Sequence, residues 1–307
     1  HLLVSGATVN LESELPKIDE ALETYLDIKG RGKSKQFFNH ARRSMKYLTD
    51  CLGVRSLDQY TSADAAKLRD FFVAKGLALA SIRRNFGSIK AVINFIVLEQ
   101  GLNCSNPFNG VYLYSDTTSV KRKPVSIKNI KAIQAECRML DDDLRHLVAL
   151  ISDTGMRLSE ATGLMTSDIN IDSQYPHISI KPHPHRQLKT MSSQRIVPLV
   201  GQSLWAAKRI TENANSVYCF PRYTNELGCN ANSASAAINK WIKTVASSDS
   251  VIHGLRHSFR DRLRAVEAPL EVIDQLGGWS MRTVGQGYGD GYQLEILNKW
   301  INMIVIH

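Results

Sequence analysis

The sequence predicts a protein that is mainly α with a small antiparallel β-sheet: an N-terminal helical bundle followed by an α+β domain. A length of 307 residues suits about two domains. In the first third, apolar residues recur at spacings of three and four, the period of helices with one buried face. Beyond residues 115–124, a polar stretch that ends in Pro124, two short alternating segments stand among further helical ones.

The elements follow in order. Glycines at 30, 53, 76 and 101 each close an amphipathic stretch, as a helix-ending glycine does. The first stretch carries Ile18, Leu22, Tyr25 and Leu26; the second Phe37, Phe38, Ala41, Met45 and Leu48. The third opens at "TSAD", an N-cap signal, and carries Leu68, Phe71 and Phe72. The fourth carries Ile82, Phe86, Ile89, Val92, Ile93 and Ile96. The segments share no residue-level similarity, so they predict a four-helix bundle rather than a repeat array. The expected division is an N-terminal extension (1–15), the bundle (16–114), a linker (115–124), a second domain (125–293) and an apolar C-terminal tail (294–307).

In the second domain, "SIKNIKAIQAEC" and "DDDLRHLVALISDTG" predict helices, the latter stopping near Gly155. "HISIKP" and "QRIVPLV" predict two strands joined by a segment rich in proline and histidine. "SLWAAKRITENA", "SASAAINKWIKTVAS", "HSFRDRLRAVEA", "LEVIDQLGG" and the tail "LEILNKWINMIVI" return to helix.

The formal net charge of +9 points to a polyanionic partner, nucleic acid or an anionic surface, although solubility alone would also explain it. Residues 1–124 carry 18 Lys and Arg against 12 Asp and Glu, and the remainder 20 against 17, so the basic excess is mostly N-terminal. Off the apolar faces lie Lys33, Lys35, Arg42, Arg43, Lys46, Arg83, Arg84 and Lys90, either a solvated surface or a phosphate-tracking one. Lys121, Arg122 and Lys123 in the linker suit a nucleic-acid backbone. Five scattered cysteines without a Cys-x-x-Cys pair argue against a disulfide framework and a zinc site, and fit a reducing cytoplasm. No apolar run reaches the ~18 residues a bilayer span needs, so no membrane role is expected. The chain opens at His1 and not at a methionine, which leaves room for an upstream domain.

Three motifs carry chemistry. In "DTGMRLSEATGL" (153–164), Gly155 breaks one helix, and Arg157 with Glu160 starts the next. A guanidinium beside free helix N–H groups would bind an anion; a structural salt bridge is the alternative. In "HGLRHSFRDRL" (253–263), His253 and Arg256 are i, i+3 neighbours on one helix face, with an ion network around Asp261 as the plainer reading. In "LGGWSMRTVGQGYGDGY" (276–292), Tyr288 follows Trp279 by nine residues, and glycines surround it. His177, His183 and His185 lack a cysteine or carboxylate at ligand spacing, so no metal is expected.

Taken in this order, the motifs resemble those of the tyrosine recombinase, or phage integrase, family. That pattern is an arginine in Thr-Gly-x-Arg-x-x-Glu, then His-x-x-Arg, then Leu-Gly-His or Leu-Gly-Trp, then a tyrosine nine residues on. Here Leu-Gly-His becomes Leu-Gly-Gly-Trp, offset by one residue; some family members also carry tryptophan. "LKTMSSQRIVPL" resembles the family's β-hairpin and points to Lys189, with Lys181 as the other lysine of that hairpin. The resemblance covers roughly residues 125–292, and the N-terminal half fits the family's core-binding domain in length and type.

What the resemblance implies is a site-specific recombinase or integrase of a phage or mobile element. Tyr288, favoured over Tyr292 by its spacing, would be the nucleophile that forms a 3′-phosphotyrosine. Arg157 and Arg256 would clamp the phosphate, Lys189 would be the general acid, and His253 and Trp279 would assist, with Glu160 in support. The expected partners are double-stranded DNA with a specific site, a homotetramer on two such sites, and an accessory DNA-bending protein. No cofactor or ATP is expected, and the protein would be cytoplasmic, nucleoid-associated when acting. The rival readings are a type IB topoisomerase-like enzyme and a DNA-binding protein that does not cleave. Gly287, Gly289 and Gly291 would be hinges of the nucleophile segment, and the tail would either pack on its own domain or dock into a neighbouring protomer.

Overall fold

The computed structural model describes residues 15–114, 123–279 and 291–307. The chain divides into two compact units, 1–120 and 121–307.

The first unit holds α1 (Ile18–Lys29), α2 (Lys35–Leu52), α3 (Ser62–Ala74) and α4 (Leu79–Glu99). Their i, i+3/i+4 apolar positions meet in one core: Ile18, Leu22 and Leu26 with Ala41, Met45 and Leu48, then Leu68, Phe72, Phe86, Ile89, Val92 and Ile96. Phe37, Phe38 and Phe71, counted with those faces, lie half-buried at the edge of this core. Thr61 caps α3: its hydroxyl accepts from the Asp64 N–H at 3.3 Å, and the Asp64 carboxylate accepts from the Thr61 N–H at 3.0 Å. Gly53, Gly76 and Gly101 take positive φ, whereas Gly30 keeps φ −79°. At Gly30 a Cβ would come within 2.6 Å of the Phe38 ring, so close approach explains that glycine.

The second unit runs α5 (Ile127–Leu140), α6 (Asp143–Thr154), α7 (Leu158–Thr162), β1 (Ile169–Asn170), β2 (His177–Ile180), β3 (Arg195–Pro198), α8 (Gly201–Glu212), β4 (Thr224–Asn225), β5 (Gly228–Cys229), α9 (Ala231–Val245), α10 (Ile252–Ala265), α11 (Leu270–Gly277) and α12 (Leu294–Asn302). The three-stranded sheet has the order β1-β2-β3, antiparallel throughout, with Ile178 opposite Val197 and Ile180 opposite Arg195. Helix α6 lies at the centre, with every residue from His146 to Thr154 buried. It stops at Gly155, φ +60°, where a Cβ would come 2.3 Å from the Phe259 ring of α10. That glycine satisfies both the left-handed turn and the helix contact, and it aims the chain so that Arg157 follows two residues on.

Of the five strands among the described residues, the sequence predicts only β2 and β3. Strand β1 and the β4–β5 hairpin carry no sequence signal, because strands of two residues are too short to show alternation. Helix α10 begins at Ile252, so His253 sits in its first turn. The tail packs on its own domain: Leu297, Ile301 and Ile304 are buried, and the Ile304 carbonyl accepts from Arg262 at 3.0 Å. Among the described residues no helix is long and apolar enough to cross a membrane.

Candidate active site

The site is built on the carboxyl end of α11. The helix closes with Gly278 at φ +61°; the Gly278 N–H bonds the Gln275 carbonyl and the Trp279 N–H the Asp274 carbonyl. This leaves three consecutive carbonyls at the negative end of a helix, where cations are favoured. An arginine takes each of them. Arg195 Nε donates to Leu276 at 2.8 Å, Arg256 Nη2 to Gly277 at 2.6 Å, and Arg157 Nη2 to Gly278 at 3.1 Å.

Guanidinium groups this close repel, and Glu160 compensates. One carboxylate oxygen lies 2.6 Å from Arg157 Nη1 and the other 3.0 Å from Arg195 Nη2. The second oxygen also accepts the Arg157 backbone N–H at 3.0 Å. Burial alone would push the Glu160 carboxyl up, but Arg195 and Arg157 outweigh it and hold it below the ordinary carboxylate range. The expected open anion site at a helix N-terminus is thus absent here: Glu160 closes it, and α7 is only five residues long. The Arg157 guanidinium, not the helix end, faces the site.

Arg256 is a costly cation to bury. Burial, then the like charges of Arg157 and Arg195, push its pKa down to about 9. It remains protonated at neutral pH, and its second arm donates to the Gly155 carbonyl. The Trp279 ring lies 4.4 Å from the Arg256 guanidinium carbon and 4.5 Å from that of Arg260, which pairs with Asp274 at 3.0 Å. A Cβ at Gly277 would fall 1.7 Å from this indole. The double glycine is therefore explained: Gly277 clears space for the ring and Gly278 turns the chain.

His253 stands one turn before Arg256 on α10, exposed, its ring edge-on to His257 at 5.0 Å. Lys189 is exposed in the β2–β3 connection, and its ammonium meets no acceptor among the described residues. Lys181 instead pairs with buried Asp168 at 3.2 Å, which His183 also contacts at 2.8 Å. His177 and His185 bond backbone carbonyls of Tyr175 and Gly163. Among the described residues no group of three or more His, Cys, Asp or Glu could hold a metal.

Tyr288, Gly287, Gly289, Lys121 and Arg122 lie outside the described residues. Gly291 has φ +75°, and beyond it the Gln275 carboxamide reads both backbone groups of Tyr292, accepting at 2.8 Å and donating at 3.0 Å. A groove of about 480 Å³ runs between β3, the end of α11 and the start of α12, lined by Arg195, Gln275, Trp279, Tyr292 and Leu294.

In the first unit the basic residues divide by partner. Arg42 pairs with Glu23 at 2.8 Å and Lys46 with Asp50 at 3.0 Å. Arg83 donates to the Tyr114 carbonyl and Lys90 to that of Asn109. Arg43 and Arg84 instead line a polar pocket of about 190 Å³ between α2 and α4 with His40, Ser81 and Asn85. Lys123, in the second unit, is exposed.

Sequence reasoning assigned no role to Arg195, Ser193 or Gln275. Arg195 was visible in the hairpin motif as a charged residue opening a strand, which a solvent-facing position would also allow. Only the fold buries it.

The chain belongs to the phage integrase family, whose model matches residues 125–293. It is a tyrosine recombinase, an enzyme of DNA strand transfer, and this membership supports site-specific recombination. It is similar to tyrosine recombinase XerC of Xylella fastidiosa (strain M23), 23% identical over 270 residues that cover 84% of this chain and 87% of that protein. Tyrosine recombinase XerD of Corynebacterium glutamicum is 26% identical over 281 residues, covering 84% and 88%. In fold it resembles the Tn1549 transposon integrase solved with transposon right end DNA, TM-score 0.67 at 18% identity, over 92% of this chain and 98% of that one. A lambda integrase tetramer bound to a Holliday junction gives TM-score 0.67 at 16% identity, over 91% and 79%.

Proposed function

We propose that this chain cleaves and rejoins double-stranded DNA at a specific recombination site through a covalent 3′-phosphotyrosine, without metal or ATP. The observation that carries the reading is the set of guanidinium groups of Arg157, Arg195 and Arg256 on three successive carbonyls. Permanent cations held in place before reaction are what a pentacoordinate phosphorane demands, because charge grows on its non-bridging oxygens. Arg157 and Arg256 would bind those oxygens, and the Trp279 indole N–H adds a donor. Arg195, wholly engaged by protein acceptors, holds Glu160 and the hairpin.

In the proposed step, the Tyr288 oxygen bonds to phosphorus and its proton passes to His253. The bond to the 5′ oxygen breaks with its electron pair on that oxygen, which takes a proton from Lys189. The phosphoester is kept as a phosphotyrosine, so the free 5′ hydroxyl, or one from a second duplex, reverses the step. The DNA-bound structures of similar fold favour DNA as the partner and a homotetramer on two sites. Arg43, Arg84 and Lys123, which form no salt bridge with a carboxylate among the described residues, would meet phosphates; an accessory DNA-bending protein would complete the assembly.

The test is covalent trapping. Nicked duplexes from a randomised library are incubated with the full chain, denatured, and the attached DNA ends sequenced. A defined 3′ end should be recovered, and Tyr288→Phe should recover none. Normal adducts from that variant would refute the nucleophile assignment, and relaxation of any plasmid irrespective of sequence would favour the topoisomerase-like reading.

A further inference from the structure

Lys189 reaches solvent on a flexible four-carbon stem, and no described side chain holds its ammonium. Its placement must come from the loop that carries it. That loop is tied to the arginine cage through a single buried residue. Ser193 is fully buried and closes the 3-10 turn Met191–Ser193. Its N–H donates to the Thr190 carbonyl at 3.1 Å, and its carbonyl accepts from Arg195 Nη1 at 2.7 Å. Its hydroxyl lies 3.0 Å from Arg157 Nη1 and 2.9 Å from Thr190 Oγ1.

Arg157 anchors one end of this chain. A guanidinium can only donate, so Ser193 Oγ accepts from Arg157. Ser193 Oγ then shares a hydroxyl–hydroxyl bond with Thr190 Oγ1, and Thr190 Oγ1 another with Ser192 Oγ at 3.0 Å, either hydroxyl serving as donor. Polarised by a cation at one end, the chain runs from the group that would hold the phosphate to the neighbour of Lys189.

We propose that Ser193 is a positioning residue for strand cleavage. Through Thr190 it sets the Lys189 loop in register with Arg157, so that proton donor and phosphate clamp meet the same phosphodiester. The inference rests on the reading of Lys189 as proton donor to the departing 5′ oxygen. When the bond to phosphorus breaks, that oxygen keeps the electron pair and needs the Lys189 proton. If sulfur replaces it, a thiolate leaves; with a thiol pKa near ~8.5, it departs without a proton. A residue that acts only through Lys189 then becomes dispensable.

The experiment uses the full chain and the duplex recovered by covalent trapping, made with oxygen or sulfur at the scissile 5′ bridging position. Single-turnover cleavage is measured for Ser193→Ala, Thr190→Val, Lys189→Ala and Arg256→Ala. On the oxygen duplex Ser193→Ala and Thr190→Val should be slower by about 10–100-fold, part of the ~10²–10⁴ that a positioned acid supplies. On the sulfur duplex both, like Lys189→Ala, should regain the parent rate, while Arg256→Ala stays slow. Unslowed cleavage of the oxygen duplex by the Ser193 and Thr190 variants, or a defect that persists on sulfur while Lys189→Ala recovers, overturns the inference. Should Lys189→Ala itself stay slow on sulfur, the proton-donor reading is what fails.

Discussion

The guanidinium carbon of Arg256 lies 4.4 Å from the centre of the Trp279 ring. The relationship accounts for a tryptophan at this position. Its π face stabilises a cation that is buried among like charges. Because Gly277 lies under the indole, the ring, the glycine and the arginine form one unit.

A double-mutant cycle checks this coupling. Gly277→Ala puts a methyl where the indole lies, and Trp279→Ala removes the indole. Each is expected to slow cleavage about tenfold or more, given ~2 kcal/mol for a desolvated cation–π contact. Together they should cost little more than Trp279→Ala alone. Additive losses measured by single-turnover adduct formation would show that the glycine acts elsewhere.

Glu160 predicts an acid-sensitive domain. Its folded pKa lies below the ordinary value of 4.5. The unfolded state therefore binds the proton first as pH falls. The stabilisation is complete above 4.5 and is lost as pH drops through the lower folded value. Glu160→Gln leaves Arg157 and Arg195 without their shared counter-charge and should cost about 3–5 kcal/mol at neutral pH. Urea unfolding at about pH 7 and about pH 3.5, on either side of the ordinary carboxylate range, should show a much smaller acid effect in the variant. Parallel pH profiles would contradict the pairing.

Basic residues of the first unit are expected to differ in their contribution. Among the described residues Arg43 and Arg84 have no carboxylate partner, whereas Arg42 and Lys46 do. Arg43→Ala and Arg84→Ala should each weaken DNA binding on all sequences and reduce the slope of log affinity against log salt by about 1. Fluorescence titration from 50 to 200 mM salt, roughly the range over which phosphate contacts tell, reads both. Equal losses for Arg42→Ala would mean that the exposed ion pairs give way to phosphate.

Ile301 separates packing within the chain from docking into a neighbour. It is wholly buried on its own domain. Ile301→Ala should lower the stability of the isolated chain by about 2–5 kcal/mol, independent of protein concentration. Unchanged stability at high dilution, with a loss of cooperative DNA binding, would support a tail that serves another protomer.

Much of the fold is legible in the sequence. Helical periods mark α1 to α4 and most of the second unit, because an amphipathic face imposes its spacing locally. Arg157, His253, Arg256 and Trp279 stand out through short motifs with strict internal spacing. Strand β1 and the β4–β5 hairpin do not; Arg195 and Ser193 fall inside the hairpin motif, but nothing local distinguishes a buried arginine or serine from an exposed one.

By itself, then, the amino-acid order determined where helices start and stop, which residue types the chemistry can draw on, and the resemblance that names the family. Only the tertiary structure decided that the carbonyls of Leu276, Gly277 and Gly278 collect arginines from three distant parts of the chain, that Glu160 neutralises two of them, and that Lys181 is tied to Asp168 while Lys189 remains available. The reason is physical: spacing along a helix is a short-range property, whereas the cost of a charge depends on which groups, far apart in sequence, surround it after burial.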